Sequence, residues 1–158
     1  MIILGLGSNW GDKQEYLQKA VDELALILSH LNISSTYEMP ALLPEGAPAE
    51  WNIPFLNRAV SGETKLNPQD LLKEIKKIEQ QLGRIDRGHW GPREIDIDIL
   101  AYDDEVIDEP DLKIPHRGLL ERDFALLPLV ELAPDWVYPV VGPYFGKTAH
   151  DLAQKFTV

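Results

Sequence analysis

Cysteine is absent from the 158 residues, which excludes disulfide staples, thiolate metal sites and cysteine nucleophiles. A reducing compartment fits, and the cytoplasm is the expected location. Long hydrophobic runs are missing too. Met1 to Leu6 is apolar but too short and uncharged for a signal peptide, and nothing approaches the ~20 residues of a membrane span. Positive charge is scarce: 15 Lys and Arg face 26 Asp and Glu, a formal net charge of −11. Phosphate backbones and anionic bilayers would be repelled, so neither a nucleic-acid nor a membrane partner is expected. What remains, 44% hydrophobic content without repeats or low-complexity tracts, suits one core. Residues 1–158 are expected to form a single domain, and a monomer.

The few cations are unevenly spread. Five of the six arginines (Arg84, Arg87, Arg93, Arg117 and Arg122) lie between positions 84 and 122, with His89 and His116 among them. A local cationic zone on an acidic chain suits a small anion, because the planar guanidinium fork matches phosphate oxygens.

Ile2 to Leu6 reads as a buried strand entering a turn at Gly7-Ser8-Asn9. Asp12 stands three residues before Glu15, a helix-start signal, and Leu17, Ala20, Val21, Leu24, Leu28 and Leu31 extend a helical stripe from about Lys13 to His30. A strand is expected over Ile33 to Glu38, and a proline-rich lid-like loop over Pro40 to Pro54. Phe55 to Glu63 reads as a strand. Asn67-Pro68 opens a helix whose stripe of Leu71, Ile75, Ile78 and Leu82 stops at Gly83. A strand from about Glu94 to Tyr102 follows, with a hairpin partner near Glu105 to Ile107. Late helices are expected over Ala125 to Leu132 and within Thr148 to Phe156. The order βαββαβ points to an α+β, ferredoxin-like sandwich: an antiparallel sheet with helices on one face.

Glu94-Ile95-Asp96-Ile97-Asp98-Ile99-Leu100 carries the chemistry. Alternation along a strand sends the isoleucines to one face and Glu94, Asp96 and Asp98 to the other. Two aspartates in such a register lie roughly 6 to 7 Å apart, near enough to share one or two hard cations. Magnesium accepts few protein oxygens and leaves positions for phosphate. Two adjacent anions on a strand, where aspartate is disfavoured, also call for a cation.

HWGPREIDIDIL (His89 to Leu100) resembles the signature of the 6-hydroxymethyl-7,8-dihydropterin pyrophosphokinases of folate biosynthesis. LGLGSNWGD, FLNRAV, KKIEQQLGR and IPHRGLLERDFALLPLVELAP resemble further segments of that family in order, leaving only Pro40 to Pro54 and the tail after Pro134 idiosyncratic. The resemblance implies an enzyme in which a pterin alcohol attacks the β-phosphorus of ATP, the co-substrate, and AMP leaves. It implies two Mg²⁺ ions on Asp96 and Asp98, and a catalytic set of Arg93, Asp96, Asp98, His116 and Arg122. Pterin would be sandwiched by Phe55 and Phe124, read at its edge by Asn57, covered by Trp90 and completed by Gly7, Met39, Pro40 and Leu42. ATP would meet Lys76, Glu79, Arg84 and Arg87 on one side. Trp90, Arg93, Ile99, Lys113, His116 and Arg122 would contact it elsewhere.

Several positions depart from the family pattern. Phe55 stands where tyrosine is frequent, Asp111 falls where a basic residue is usual so that Lys113 substitutes, and the loop leaves open whether Arg84 or Arg87 meets phosphate. Two rival functions are a Mg²⁺-dependent phosphohydrolase, which would consume ATP without a pterin, and a noncatalytic ligand or RNA module. RNA binding calls for a basic face with exposed aromatics, which the acidic composition opposes. GLGSNWG lacks the Gly-Lys-Ser/Thr of a phosphate loop.

Overall fold

The computed structural model describes residues 1–121 and 123–154; of residues 123 and 124 the backbone alone is described. Strand β1 (Ile2–Ser8) is the spine of the sheet, and the alternation of its side chains sorts two cores. Ile2, Leu4 and Leu6 face one cluster, which is completed by Leu17 to Leu24 of α1 (Lys13–Leu24) and by Leu71, Ile75 and Ile78 of α2 (Pro68–Gln81). Ile3 faces the other cluster, with α3 (Asp123–Leu132) and α4 (Ala149–Ala153). Helices therefore cover both faces, not the single face expected from βαββαβ alone. The late helices find apolar partners in Ala59, Leu100 and Ala101 on the reverse side of the sheet.

The remaining strands are β2 (Ser29–Ile33), β3 (Tyr37–Met39), β4 (Phe55–Glu63) and β5 (Asp96–Tyr102). Their order is β2-β4-β1-β5, with β3 also paired to β4. All these pairs are antiparallel, the ferredoxin-like arrangement. A separate two-stranded ribbon joins β6 (Ile107–Glu109) to β7 (Leu112–Ile114). Among the described residues no helix is long and apolar enough to cross a membrane.

Caps explain the starts. Asp12 accepts from the Glu15 amide at 3.1 Å, Asn67 from Asp70 at 2.8 Å, and Thr148 from Asp151 at 3.2 Å within a reciprocal capping box. The first helix stops at Leu24, short of the expected His30. Leu28 continues the apolar spacing but reaches the core from a turn, 7% exposed, and the chain then pairs with β4 through an irregular register at Ser29/Asn32. The strand expected at Ile33 to Glu38 is split. Ser34 breaks it by accepting the Ala59 amide on its hydroxyl at 2.8 Å while its own amide donates to the Ala59 carbonyl at 2.9 Å. The hairpin partner expected for the Glu94 to Tyr102 strand near Glu105 to Ile107 does not form: β6 begins at Ile107 and pairs with β7 instead of β5.

β3 is tied to α3 by Glu131, whose carboxylate accepts from the Tyr37 hydroxyl at 2.7 Å and the Ser35 amide at 2.8 Å. Burial, this hydrogen bond and the carboxylate's charge push the Tyr37 phenol up to about 12. A raised phenol contributes stability that is fully present below its unfolded value, ~10. That contribution is lost as pH rises through about 12. Urea unfolding of the unsubstituted protein and Tyr37→Phe between pH 8 and pH 11 should show a constant gap at the lower end that narrows at the upper. A gap independent of pH would show that the Tyr37–Glu131 bond does not hold the strand.

Candidate active site

On the face shared with α3, the central strand carries glycines where side chains would otherwise fill the space. Gly7 pairs with Asn57 on β4 and with Asp96 on β5, and Gly5 pairs with Asp98. A Cβ on Gly7 would stand 2.8 Å from Asn57 Oδ1 and 3.4 Å from Phe55, so this position has room for no side chain. The cleared floor opens a cavity of roughly 570 Å³ walled by Met39, Pro40 and Leu42, by Phe55 and Asn57, and by Trp90. Asn57 is 6% exposed, and its Nδ2 is buried without a protein partner among the described residues. An unpartnered buried donor costs about 1–3 kcal/mol, which a ligand acceptor would recover.

A second cavity of about 540 Å³ lies beside the first, lined by Lys76, Glu79, Arg84, Arg87, His89 and Arg93 among others. His89 and Arg93 border both, so Arg93 stands at the junction. There Asp96 Oδ1 accepts from Arg84 Nη1 at 3.1 Å and forms an ion pair with Arg93 Nη1 at 3.0 Å. Burial pushes the Asp96 carboxyl up, but Arg93 and Arg84 outweigh it and hold it below the ordinary range. Asp98 is the reverse case. Burial, the Asp96 charge and their shared hydrogen bond raise its carboxyl well above the ordinary range. Arg93 opposes that rise, and His116 Nε2 lies 3.8 Å away. His116 Nδ1 accepts from the Gly118 amide at 3.1 Å, so the proton of a neutral imidazole sits on Nε2.

Glu79 supports this group from α2. It is 2% exposed and accepts from Arg84 at 2.5 Å and from the Ile97 amide at 2.9 Å, with Lys76 at 3.5 Å. Two carboxylates with phosphate-matching guanidinium groups form an oxygen donor set for a hard cation that keeps other ligands. Among the described residues no three or more His, Asp, Glu or Cys side chains form a closed metal cage. The two carboxylates present fit Mg²⁺, which binds through one or two carboxylates and completes its shell with water and phosphate.

Most expected residues converge here. Gly7, Met39, Pro40, Leu42, Phe55, Asn57, Trp90, Arg93, Asp96, Asp98 and His116 border the first cavity, and Lys76, Glu79, Arg84 and Arg87 the second. Two others do not line either one. Ile99 is 5% exposed in the helix-side core, and Lys113 on β7 pairs with Asp108. Arg122 and the Phe124 side chain lie outside the described residues. Glu94 was expected on the acidic face; instead it precedes β5, 3% exposed and paired with Arg87.

Sequence reasoning missed Asn9, Arg58 and Glu121. Asn9 is 2% exposed; its Oδ1 accepts the Arg93 amide at 2.8 Å and its Nδ2 donates to the Ile53 carbonyl at 3.1 Å, which ties three loops together. Its signal was an amide in a turn between strand and helix. Arg58 and Glu121 line the first cavity. Arg58 interrupting the apolar FLNRAV was the available clue.

The model of the 7,8-dihydro-6-hydroxymethylpterin-pyrophosphokinase (HPPK) family matches residues 3–134. A 2-amino-4-hydroxy-6-hydroxymethyldihydropteridine pyrophosphokinase of Aquifex aeolicus is 47% identical over 139 residues, covering 88% of this chain and 84% of the relative. A folate synthesis bifunctional protein of Chlamydia muridarum is 44% identical over 156 residues, 96% of this chain but 35% of that longer protein. In fold, the chain is similar to Plasmodium falciparum HPPK-DHPS with pterin and p-hydroxybenzoate. The TM-score is 0.71 at 18% identity, covering 98% of this chain and 42% of that one. A family match that spans the whole sheet and both cavities, joined to near-half identity along most of a relative's length, makes this chain a member of the 7,8-dihydro-6-hydroxymethylpterin-pyrophosphokinase family.

Proposed function

We propose that this chain carries out its family's reaction, the transfer of diphosphate from ATP to 6-hydroxymethyl-7,8-dihydropterin, with Asp96 and Asp98 holding two Mg²⁺ ions beneath the nucleotide's phosphates. The observation that carries the reading is the position of the acid pair. Asp96 lines the cavity that Phe55 and Asn57 wall, and it pairs with Arg84 and Arg93, which line the cationic cavity beside it. The first cavity takes the flat pterin, with Phe55 as a stacking face and Asn57 Nδ2 as an edge donor. The second takes the nucleotide. When bound, the cations neutralise phosphate oxygens and make the β-phosphorus more electrophilic.

The chain's own residues orient the partners. The pterin hydroxyl oxygen forms a bond to the β-phosphorus and gives up its proton to the medium, while the bond from that phosphorus to the oxygen bridging the α-phosphorus breaks and AMP leaves with the electron pair. Arg93, and Arg122 from the late segment, offer guanidinium groups to the charge that builds on the transferring group. Asp96, kept ionised by two arginines, suits the hydroxyl's hydrogen bond, and His116 presents its Nε2 proton to phosphate. Closure of the loop around Leu42 toward the already held Trp90 excludes water and so disfavours hydrolysis. A cytoplasmic location fits the cysteine-free composition.

The test is product identification. With ATP, Mg²⁺ and the pterin alcohol, phosphorus NMR should show AMP and pterin diphosphate in equal amounts; AMP formed equally well without pterin would support a phosphohydrolase. A second expectation concerns the cavity floor. Gly7→Ala should raise KM for the pterin about tenfold or more by displacing Asn57 Oδ1, with KM for ATP nearly unchanged. Equal rises in both would place Gly7 outside the pterin subsite.

A further inference from the structure

Arg87 borders the nucleotide cavity, yet its guanidinium is already engaged. Nη1 donates to Glu94 Oε1 at 2.8 Å and to the Pro92 carbonyl at 3.2 Å, and Nη2 donates to Glu94 Oε2 at 2.7 Å. Its Cζ lies over the Trp10 ring, 4.5 Å from the centroid. Glu94 also accepts the Ile85 amide at 3.2 Å, so the pair grips both ends of the segment 85–94. The side chains are 19% and 4% exposed. Between them the loop turns sharply: the Gly91 amide donates to the Gly88 carbonyl at 3.1 Å, and a Cβ on Gly91 would stand 2.7 Å from the Arg87 carbonyl oxygen. Glycine at 91 thus lets the chain close on Arg87. The residues that this closed loop carries are Trp90, facing the first cavity, and Arg93, facing both.

We propose that the Arg87–Glu94 pair is a positioning device and not a nucleotide contact: it locks residues 85–94 into the one shape that presents Trp90 to the pterin and Arg93 to Asp96 and the phosphates. Arg84, which faces Asp96 directly, is then the loop arginine that meets phosphate. The inference rests on the proposed function, and the product assay on the unsubstituted enzyme settles that reading first.

Glu94→Gln and Arg87→Lys separate the two roles, because lysine keeps the cation but loses the bidentate fork, and the glutamine variant leaves Arg87 unchanged and unclamped. A positioning pair predicts that each lowers kcat about tenfold or more while KM for ATP changes less than about threefold. The double variant should be no worse than either single one. A phosphate ligand at position 87 predicts full activity for Glu94→Gln and near-full activity for Arg87→Lys. That result would overturn the proposal, as would a loss of kcat that merely follows a reduced folded fraction measured by near-UV circular dichroism.

Discussion

Asp98→Asn is expected to lower kcat by about a thousandfold or more while leaving the melting temperature unchanged or raised. Asparagine occupies the same volume as aspartate but cannot supply the anionic oxygen that a hard cation requires. The substitution also removes a partly buried carboxylate whose desolvation, with the neighbouring Asp96 charge, pushes the Asp98 carboxyl up. Asp96→Asn should be as inactive but less stable, because Arg84 and Arg93 both direct guanidinium groups at that oxygen. Leaving them poorly paired costs about 1–3 kcal/mol. Steady-state turnover together with calorimetry checks both. An active Asp98→Asn enzyme, or two variants with the same melting temperature, would show that the carboxylates do not divide their roles in this way.

Glu79→Ala should damage stability and activity together. The carboxylate is 2% exposed and satisfies the Ile97 amide in the middle of the acid-bearing strand as well as Arg84. Truncation leaves a buried amide and a partly buried cation short of acceptors, a loss of about 3 kcal/mol. At about 2 to 4 °C per kcal/mol for a chain of this size, the melting temperature should fall by about 6 to 12 °C. Arg84, already on Asp96 at 3.1 Å, would lose its second anchor on α2 and its fixed aim, lowering kcat/KM for ATP about tenfold even well below the melting transition. Glu79→Gln should keep the Ile97 contact and recover most of the stability but not the activity. Recovery of both would make Glu79 a purely structural acceptor.

What sequence could show followed from periodicity and local chemistry. The alternation in IDIDIL sent Ile97 and Ile99 to the helix-side core and Asp96 and Asp98 to the other face. Asn67-Pro68 and Gly83 bracketed α2 to within two residues of Pro68–Gln81. Alternation failed at Glu94 because the register begins only at Asp96; a loop arginine seven positions away captured the carboxylate first. No periodic signal announces such a contact. The end of α1 was equally silent, since Leu28 keeps helical spacing while serving the core from a turn, and neither glycine nor proline marks the stop at Leu24. Arg84 and Arg87 could not be ranked from their positions. Only the three-dimensional partners separate them: Asp96 and Glu79 for one, Glu94, Pro92 and Trp10 for the other.

Fold and chemistry meet in the cleared central strand. Gly5 and Gly7 leave the floor open, and their cross-strand neighbours Asp96, Asp98 and Asn57 then face one space from two flanking strands. The sheet fixes the spacing of Asp96, Asp98 and Asn57 together, while Trp90 is presented to the same space by the segment that Arg87 and Glu94 hold.

A crystal structure with Mg²⁺, a nonhydrolysable ATP analogue and the pterin alcohol tests the central claim most directly. The account predicts divalent cations about 2.0–2.1 Å from carboxylate oxygens of both Asp96 and Asp98 and bridging to the phosphates, with the pterin hydroxyl in line with the β-phosphorus. Cations bound to the phosphates with neither aspartate in their coordination shell would contradict it.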